Sequence, residues 1–389
     1  MTHPCTAGRG GSGHAPARPV ISGEADLGYL RHALARAGRP FAATHIAANP
    51  LTDGRTGSAV TRLETSNRDG EVRRFVLKAV RSAPWRDVLG MGGTEARLWL
   101  SGATRTLPAG LYCPTVDVAR HASRAQWWIL MEDVSTGILP RGAFDQTRAR
   151  SLMRRIAHLH ARYWGREEEL EALPVTSFDK SANGLARLSA HVARGDTASE
   201  PWLDQLSEDF WVPRVMMPTF LGALTTQDAD FYVELCRDHA RIASALGSFP
   251  QTLCHGDLRR ANIAFLGDDV VLFDWEFAAR GPAVRDLQWY WFLQFWAYPP
   301  DDGRALEDRE GLLDVYLDTL EREHGIQLSR ALFDESCQLA WLSTFCQIGC
   351  CLADPLTGAS PSAEAVARAR RVIGEAIHRA RRIHERHVR

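Results

Sequence analysis

Leu253-Cys254-His255-Gly256-Asp257-Leu258-Arg259-Arg260-Ala261-Asn262, followed by Val270-Val271-Leu272-Phe273-Asp274-Trp275-Glu276, is the stretch with the densest chemistry in the chain. Gln251 to Cys254 is a short apolar run that reads as a strand delivering His255, Gly256 and Asp257 to its end. Val270 to Phe273 is apolar and begins on two β-branched residues, so it reads as a second strand, and it ends on Asp274. Two carboxylates and an amide oxygen are thus offered by loops at the ends of neighbouring strands. Hard cations such as Mg²⁺ take oxygen ligands, usually one or two carboxylates completed by phosphates and water. Asn262 and Asp274 meet that requirement, which leaves Asp257 free to accept a proton from a hydroxyl nucleophile. Each of these residues alone is an ordinary turn residue. The ordered set is not.

The spacing His-x-Asp-x4-Asn, then an Asp-aromatic pair, is that of a kinase catalytic loop and its metal-binding Asp. Gly256 stands where protein kinases carry Arg, and Trp275-Glu276 stands where they carry Phe-Gly. In this form the chain resembles the aminoglycoside phosphotransferase and choline kinase superfamily, from about Phe41 to its C-terminal helices. The resemblance implies an α+β, protein-kinase-like fold in two lobes. The small lobe would be a five-stranded antiparallel sheet with one helix, and the larger lobe mainly helical. It implies transfer of the γ-phosphoryl of ATP or GTP, with Mg²⁺, to a hydroxyl of a small molecule. The expected acceptor is an aminoglycoside or other antibiotic or natural product. Choline-, ethanolamine- or sugar-type metabolites are the alternative, and a catalytically silent binding module is another. A protein kinase fits less well, because no Ala-Pro-Glu motif is present. Within the motif, Asp257 takes the role of base and Arg259 that of steadying the transferring phosphoryl, a role Arg260 also has the charge for. Asn262 and Asp274 take the metal, and Asp286 accepts hydrogen bonds from the catalytic-loop backbone.

The chain has 46 basic residues, of which only Lys78 and Lys180 are lysines. In Arg74-Phe75-Val76-Leu77-Lys78-Ala79-Val80, alternation puts Val76, Lys78 and Val80 on one face. A lysine between two valines fits a charge held in a cleft against α- and β-phosphates, with Val76 roofing the adenine. Glu95, on the helical stretch Gly93 to Leu100, is the carboxylate expected to hold Lys78. The small residues of Leu51 to Ser58 suit a loop over triphosphate oxygens. Gly54 and Gly57 permit close approach, and Thr56 and Ser58 offer hydroxyls. No Gly-x4-Gly-Lys-Ser/Thr occurs, so a P-loop enzyme is excluded on that count. Met131 to Val134 closes a second hairpin and falls where a kinase-like fold has its hinge, with the Glu132 carbonyl and Val134 amide placed to hold adenine.

At 389 residues the chain exceeds one typical domain. The expected division is a disordered tail over 1–20, a nucleotide-binding lobe over 21–134 and a helical lobe over 135–389. A formal charge of −1 and 45% hydrophobic residues describe an ordinary globular protein, with no global basicity that calls for nucleic acid. No run of eighteen apolar residues suggests a membrane span. The eight cysteines lack any Cys-x-x-Cys, which favours reduced, buried thiols and a cytoplasmic setting. A nucleoside triphosphate and a small-molecule alcohol are the expected partners, with the protein a monomer or homodimer. The aromatic run Trp289 to Tyr298 reads first as core and second as a cage for a methylated ammonium.

Overall fold

The computed structural model describes residues 20–21, 27–51, 58–121, 125–140, 145–195, 201–297, 309–357 and 361–388. The first lobe comprises β1 (Val20–Ile21), α1 (Leu27–Arg36), β2 (Ala43–Leu51), β3 (Ala59–Asn67), β4 (Val72–Arg81), the short α2 (Pro84–Val88) and α3 (Thr94–Ser101). Strands β5 (Leu111–Tyr112), β6 (Thr115–His121) and β7 (Gln126–Glu132) complete it. The main sheet runs β1-β6-β7-β4-β3-β2. Strands β2, β3, β4, β6 and β7 pair antiparallel as expected. The sheet has one strand more than expected, because β1 lies parallel to β6 with Val20 opposite Arg120. Two residues beside a Gly- and Pro-rich tail carry no alternation by which to find a strand. Val20 thus belongs to the sheet, and the rest of the expected tail lies outside the described residues.

Alternation along β4 decides where Lys78 points. Phe75 and Leu77 join the core that α1 covers through Leu30, Ala33 and Leu34. Val76 and Val80 face the other way, against Ala96 of α3 and against Ile129 and Met131. Lys78 shares their face. The turn between β3 and β4 is built by Asn67, whose Oδ1 accepts from the amides of Asp69 at 3.0 Å and Glu71 at 2.9 Å.

The second lobe begins with α4 (Gln146–Tyr163), capped by Asp145, whose side chain accepts from the Arg148 amide. It continues through α5 (Glu167–Ala172), β8 (Thr176–Ser177), α6 (Phe178–Arg194), α7 (Pro201–Asp209) and α8 (Trp211–Gly222). Phe231 to Leu246 falls on two helices, α9 (Thr226–Arg237) and α10 (His239–Gly247), which meet at Asp238. Apolar periodicity runs through both and conceals the break. Then come β9 (Gln251–Cys254), β10 (Ile263–Leu266), β11 (Asp269–Leu272), β12 (Ala279–Pro282) and α11 (Val284–Trp291). Last are α12 (Arg309–His324), α13 (Arg330–Ile348) and α14 (Ala363–His387). The stretch Arg330–Leu356 is long and apolar enough to cross a membrane by composition, but its most apolar window is 83% buried within this lobe. The seven described cysteines are all free and buried.

Two small sheets position the central motif. Strands β10 and β11 form a hairpin with Ile263 opposite Leu272, and the Phe273 amide donates to the Asn262 carbonyl at 3.3 Å. That register sets Asn262 beside Asp274. Strand β5 adds to β11, with Leu111 opposite Val270, and so joins the first lobe to the second. Strand β9 pairs with β12, which puts Cys254 opposite Ala279.

A buried histidine gives this lobe an acid sensitivity. His239 lies between Asn183 Oδ1 at 2.6 Å and Ser343 Oγ at 2.7 Å, linking α6, α10 and α13. Burial pushes its pKa down to about 3, so the folded chain keeps it neutral. The unfolded chain takes up a proton near pH 6.5. Its contribution is therefore complete above about pH 6.5 and is lost as pH falls toward 3. His239→Gln should flatten the fall of the unfolding midpoint as pH is lowered from about 6.5 toward 4, followed by circular dichroism. An unchanged slope would exclude His239 as the source.

Candidate active site

The loop after β9 is held from beneath. Asp286, fully buried on α11, accepts from the His255 amide at 2.7 Å through Oδ2 and from the Gly256 amide at 2.8 Å through Oδ1. Burial alone would raise its carboxyl, but the His160 hydrogen bond and nearby charges bring it below the usual range. His160 Nε2 lies 3.3 Å from Asp286 Oδ2, and its Nδ1 lies 2.9 Å from the Tyr316 hydroxyl. His255 turns Nε2 to the Phe273 carbonyl at 3.0 Å, while its Nδ1 accepts from the Asp257 amide at 3.3 Å. Gly256 has φ +84°, and a Cβ there would stand 1.9 Å from the Phe277 carbonyl oxygen. The position that carries Arg in protein kinases therefore admits no side chain in this chain.

Both oxygens of Asp257 are engaged. Oδ2 accepts from Asn262 Nδ2 at 2.8 Å and from Arg259 Nε at 3.0 Å, and Oδ1 accepts from Trp289 Nε1 at 2.9 Å. Asn262 Nδ2 also donates to the Asp257 carbonyl at 3.0 Å, so the amide oxygen of Asn262 is the atom left for a cation. Arg259 is thus at the site. Arg260 is turned away, donating to the Leu139 carbonyl at 2.7 Å.

Asp274 sits at φ +64°, an uncommon conformation for a residue with a Cβ. Lys78 Nζ bridges Asp274 Oδ1 at 2.5 Å and Glu95 Oε2 at 2.7 Å, so the sequence-expected pair is present with a second carboxylate added. Burial alone would lower the Lys78 pKa, but Asp274, Glu95 and Glu276 together hold it above its ordinary value. Burial likewise works against the Asp274 charge, yet Lys78 and then Arg259 bring its pKa below normal. Glu276 is buried beside them and ion-paired to Arg86 of α2. Burial nonetheless holds its carboxyl above the usual value, with Arg86 opposing.

Val76 is half-buried on the cleft face opposite Met131. At the expected hinge the Val134 amide has no partner among the described residues, while its carbonyl accepts from Gly137. The Glu132 side chain is tied to Arg39 and to the Tyr112 hydroxyl. Ser58 is half-buried just before β3, its hydroxyl without a partner among the described residues. Gly54, Thr56 and Gly57 lie outside the described residues.

Two residues at the site carried no signal in the sequence. Arg86 is one of many arginines, on a helix of five residues. Trp289 is one ring among many in an aromatic run, and only the fold brings its N–H to Asp257. The rest of that run is mainly core: Tyr290, Trp291 and Phe292 are buried. Trp296 and Trp341 already have a cation over them, the Arg379 guanidinium at 5.8 and 4.7 Å.

A two-lobed fold that gathers these residues between a β-rich lobe and a helical one defines a phosphotransferase of the protein-kinase-like class. The model of the phosphotransferase enzyme family matches residues 49–326, and the chain belongs to that family. Choline kinase from Cryptosporidium parvum superposes with a TM-score of 0.52 at 11% identity, over 93% of this chain and 98% of that one. Amicoumacin kinase hAmiN, solved with AMP-PNP and Ca²⁺, gives 0.47 at 12% identity over 91% and 94%. Aminoglycoside phosphotransferase APH(3'')-Id from Streptomyces rimosus gives 0.43 at 21% identity over 83% and 98%. At such identities the likeness speaks to fold alone, and the choline kinase superposition carries it. No curated protein matches the sequence.

Proposed function

We propose that the protein transfers the γ-phosphoryl of ATP or GTP, bound with Mg²⁺, to a hydroxyl of a small molecule. The acceptor class we favour is an aminoglycoside or other antibiotic-type natural product, and the setting is the cytoplasm, where nucleoside triphosphates are abundant. The observation that carries the reading is the joined pair of clusters, Lys78-Glu95-Asp274 and Asp257-Asn262, between the two lobes.

A divalent cation fits the donor set. Three cations (Lys78, Arg86, Arg259) face four carboxylates (Glu95, Asp257, Asp274, Glu276) in these pairs, so a negative charge is left over. Glu95 Oε1 and Glu276 Oε2 are buried oxygens without a partner among the described residues. The Asn262 amide oxygen and Asp274 would hold Mg²⁺, which when bound supplies charge neutralisation at the phosphates. Lys78, positioned by Glu95, would meet the α- and β-phosphates. The Val134 amide and the Glu132 carbonyl would hold adenine under Val76, with Ser58, Gly54 and Gly57 at the phosphates. Asp257 would take the acceptor proton, and Arg259, with its Nε kept on Asp257 Oδ2, would steady the transferring group through its terminal nitrogens. Catalysis is then mostly positioning and electrostatics.

A methylated-ammonium acceptor is less favoured, because Arg379 already lies over Trp296 and Trp341. A silent binding module would not need the retained set.

The test is phosphorylation by Mg·ATP and Mg·GTP of a panel containing aminoglycosides, other hydroxylated antibiotics, choline, ethanolamine and sugars. Tight Mg·nucleotide binding with no transfer to any acceptor or to water would leave the binding-module reading in place. Lys78→Ala should weaken Mg·ATP binding and lower turnover at least ~10²-fold, since a charge-assisted phosphate contact in a dry cleft is lost. Lys78→Arg should rescue poorly, because a planar fork does not reproduce a compact ammonium. Full activity in Lys78→Ala would make this lysine a bystander.

A further inference from the structure

The geometry points to Trp289 as the residue that positions the Asp257 carboxylate and fixes the side from which the acceptor hydroxyl arrives. The inference rests on the phosphotransferase reading and on the assignment of Asp257 as base, and it goes beyond them. An ionised carboxylate offers two acceptor sites on each oxygen. Oδ2 of Asp257 has both filled, by Asn262 Nδ2 at 2.8 Å and Arg259 Nε at 3.0 Å. Oδ1 has one filled, by the Trp289 indole N–H at 2.9 Å. Among the described residues, the site left for a proton is the second one on Oδ1. A hydroxyl that uses it stands next to the indole.

The indole is a fixed donor. Trp289 is 5% exposed and packed in the main core of the helical lobe. It lies three residues after Asp286, so one helix holds the loop backbone through Asp286 and aims the carboxylate through Trp289. Without the indole, Oδ2 keeps its two donors but the carboxylate is free to turn about them. The step it serves is balanced. The acceptor oxygen bonds to the γ-phosphorus and its proton passes to Oδ1. The bond from the γ-phosphorus to the β–γ bridging oxygen breaks, and the nucleoside diphosphate leaves. The indole N–H stays on Oδ1 throughout and is not consumed. The carbon that bears the reacting hydroxyl then packs against the Trp289 ring, which makes this ring a determinant of acceptor shape as well.

The test uses the full-length protein with water as the acceptor, reading ADP release from Mg·ATP, so no acceptor need be known. Trp289→Phe keeps a buried ring and loses the N–H. It should lower kcat about 10- to 100-fold, the range for a hydrogen bond to a charged group, with the KM for Mg·ATP and the unfolding midpoint little changed. Combined with Asp257→Asn it should be no slower than Asp257→Asn alone, because a residue that acts only through Asp257 has nothing left to act on. Additive losses would overturn the inference, and so would a wild-type kcat in Trp289→Phe. A second arm needs no turnover. The Trp289 indole ¹H–¹⁵N resonance, assigned by its disappearance in Trp289→Phe, should shift and exchange faster with solvent in Asp257→Ala. A resonance indifferent to Asp257 would overturn the contact itself. If that coupling is present but wild type transfers phosphoryl to nothing, water included, the phosphotransferase reading fails and the positioning role fails with it.

Discussion

Asp274→Ala should abolish phosphoryl transfer and remove the dependence of nucleotide binding on Mg²⁺. Among the described residues, Asp274 is the one carboxylate that touches Lys78 while remaining partly exposed, with 29% of its side chain accessible against 2% for Glu95. An arriving cation therefore meets Asp274 before any of the deeper acids. Charge stabilisation of several kcal/mol corresponds to a loss of about 10³-fold or more in turnover. Two variants separate charge from backbone. Alanine at φ +64° adds strain of about 1 kcal/mol, whereas Asn tolerates that conformation and removes only the charge. Asp274→Asn should therefore fold like wild type and still lose Mg²⁺-dependent binding. Calorimetry of ATP with Mg²⁺ and with EDTA reads the difference directly. Wild-type Mg²⁺-dependent activity in either variant would remove Asp274 from the metal site.

The parts of this molecule legible in its sequence are those where one side chain has one local reason to be present. His255 to Asn262 and Asp274 were found because loop chemistry at strand ends is set by residue type and spacing, and the β10–β11 register then brings Asn262 and Asp274 together. Lys78 stood out because alternation put a charge between two valines, and its partner Glu95 lies on the facing helix at 2.7 Å. The five antiparallel strands of the first lobe follow from the family resemblance; β6 and β7 are buried almost throughout and carry no period-two signal. What stayed hidden depends on packing between distant segments. Arg86 reaches Glu276 across a sequence separation of 190 residues, and nothing in Pro84-Trp85-Arg86 marks it. Trp289 was visible only as an aromatic among aromatics, since helical periodicity tells core from surface but not which indole N–H meets a carboxylate. His160 is buried on α4 with Ile156 and Leu159, and nothing in that apolar face tells that both its ring nitrogens are engaged, toward Asp286 and Tyr316. The break at Asp238 leaves no mark in the sequence, because both flanking helices bury the same kinds of residue.

Asp257→Asn should lower kcat by ~10²–10⁴, the usual worth of a positioned base, while leaving Mg·ATP affinity within a few-fold of wild type. Affinity is spared because the groups proposed for the nucleotide are elsewhere: Lys78 keeps Glu95 and Asp274, and Asn262 keeps its bond to the residue 257 carbonyl. The chemical step is not spared. In wild type, three donors converge on the Asp257 carboxylate, two on Oδ2 and one on Oδ1. An asparagine has a single oxygen, and facing Asn262 and Arg259 with it turns an NH₂ toward the Trp289 N–H. Two donors then confront each other in a buried position, which costs about 1–3 kcal/mol. Some loss of stability should accompany the loss of rate, and the unfolding midpoint must be measured with the kinetics so the two are not confused. Asp257→Ala, which leaves a small gap and no opposed donors, should show the same kcat defect with a different stability change. Equal kcat losses in both variants, at unchanged Mg·ATP affinity by calorimetry, assign the defect to the missing proton acceptor. A variant that turns over like wild type, or one whose only defect is lost nucleotide binding, would mean that Asp257 is not the base, and the proton would have to leave by way of another group in the cleft.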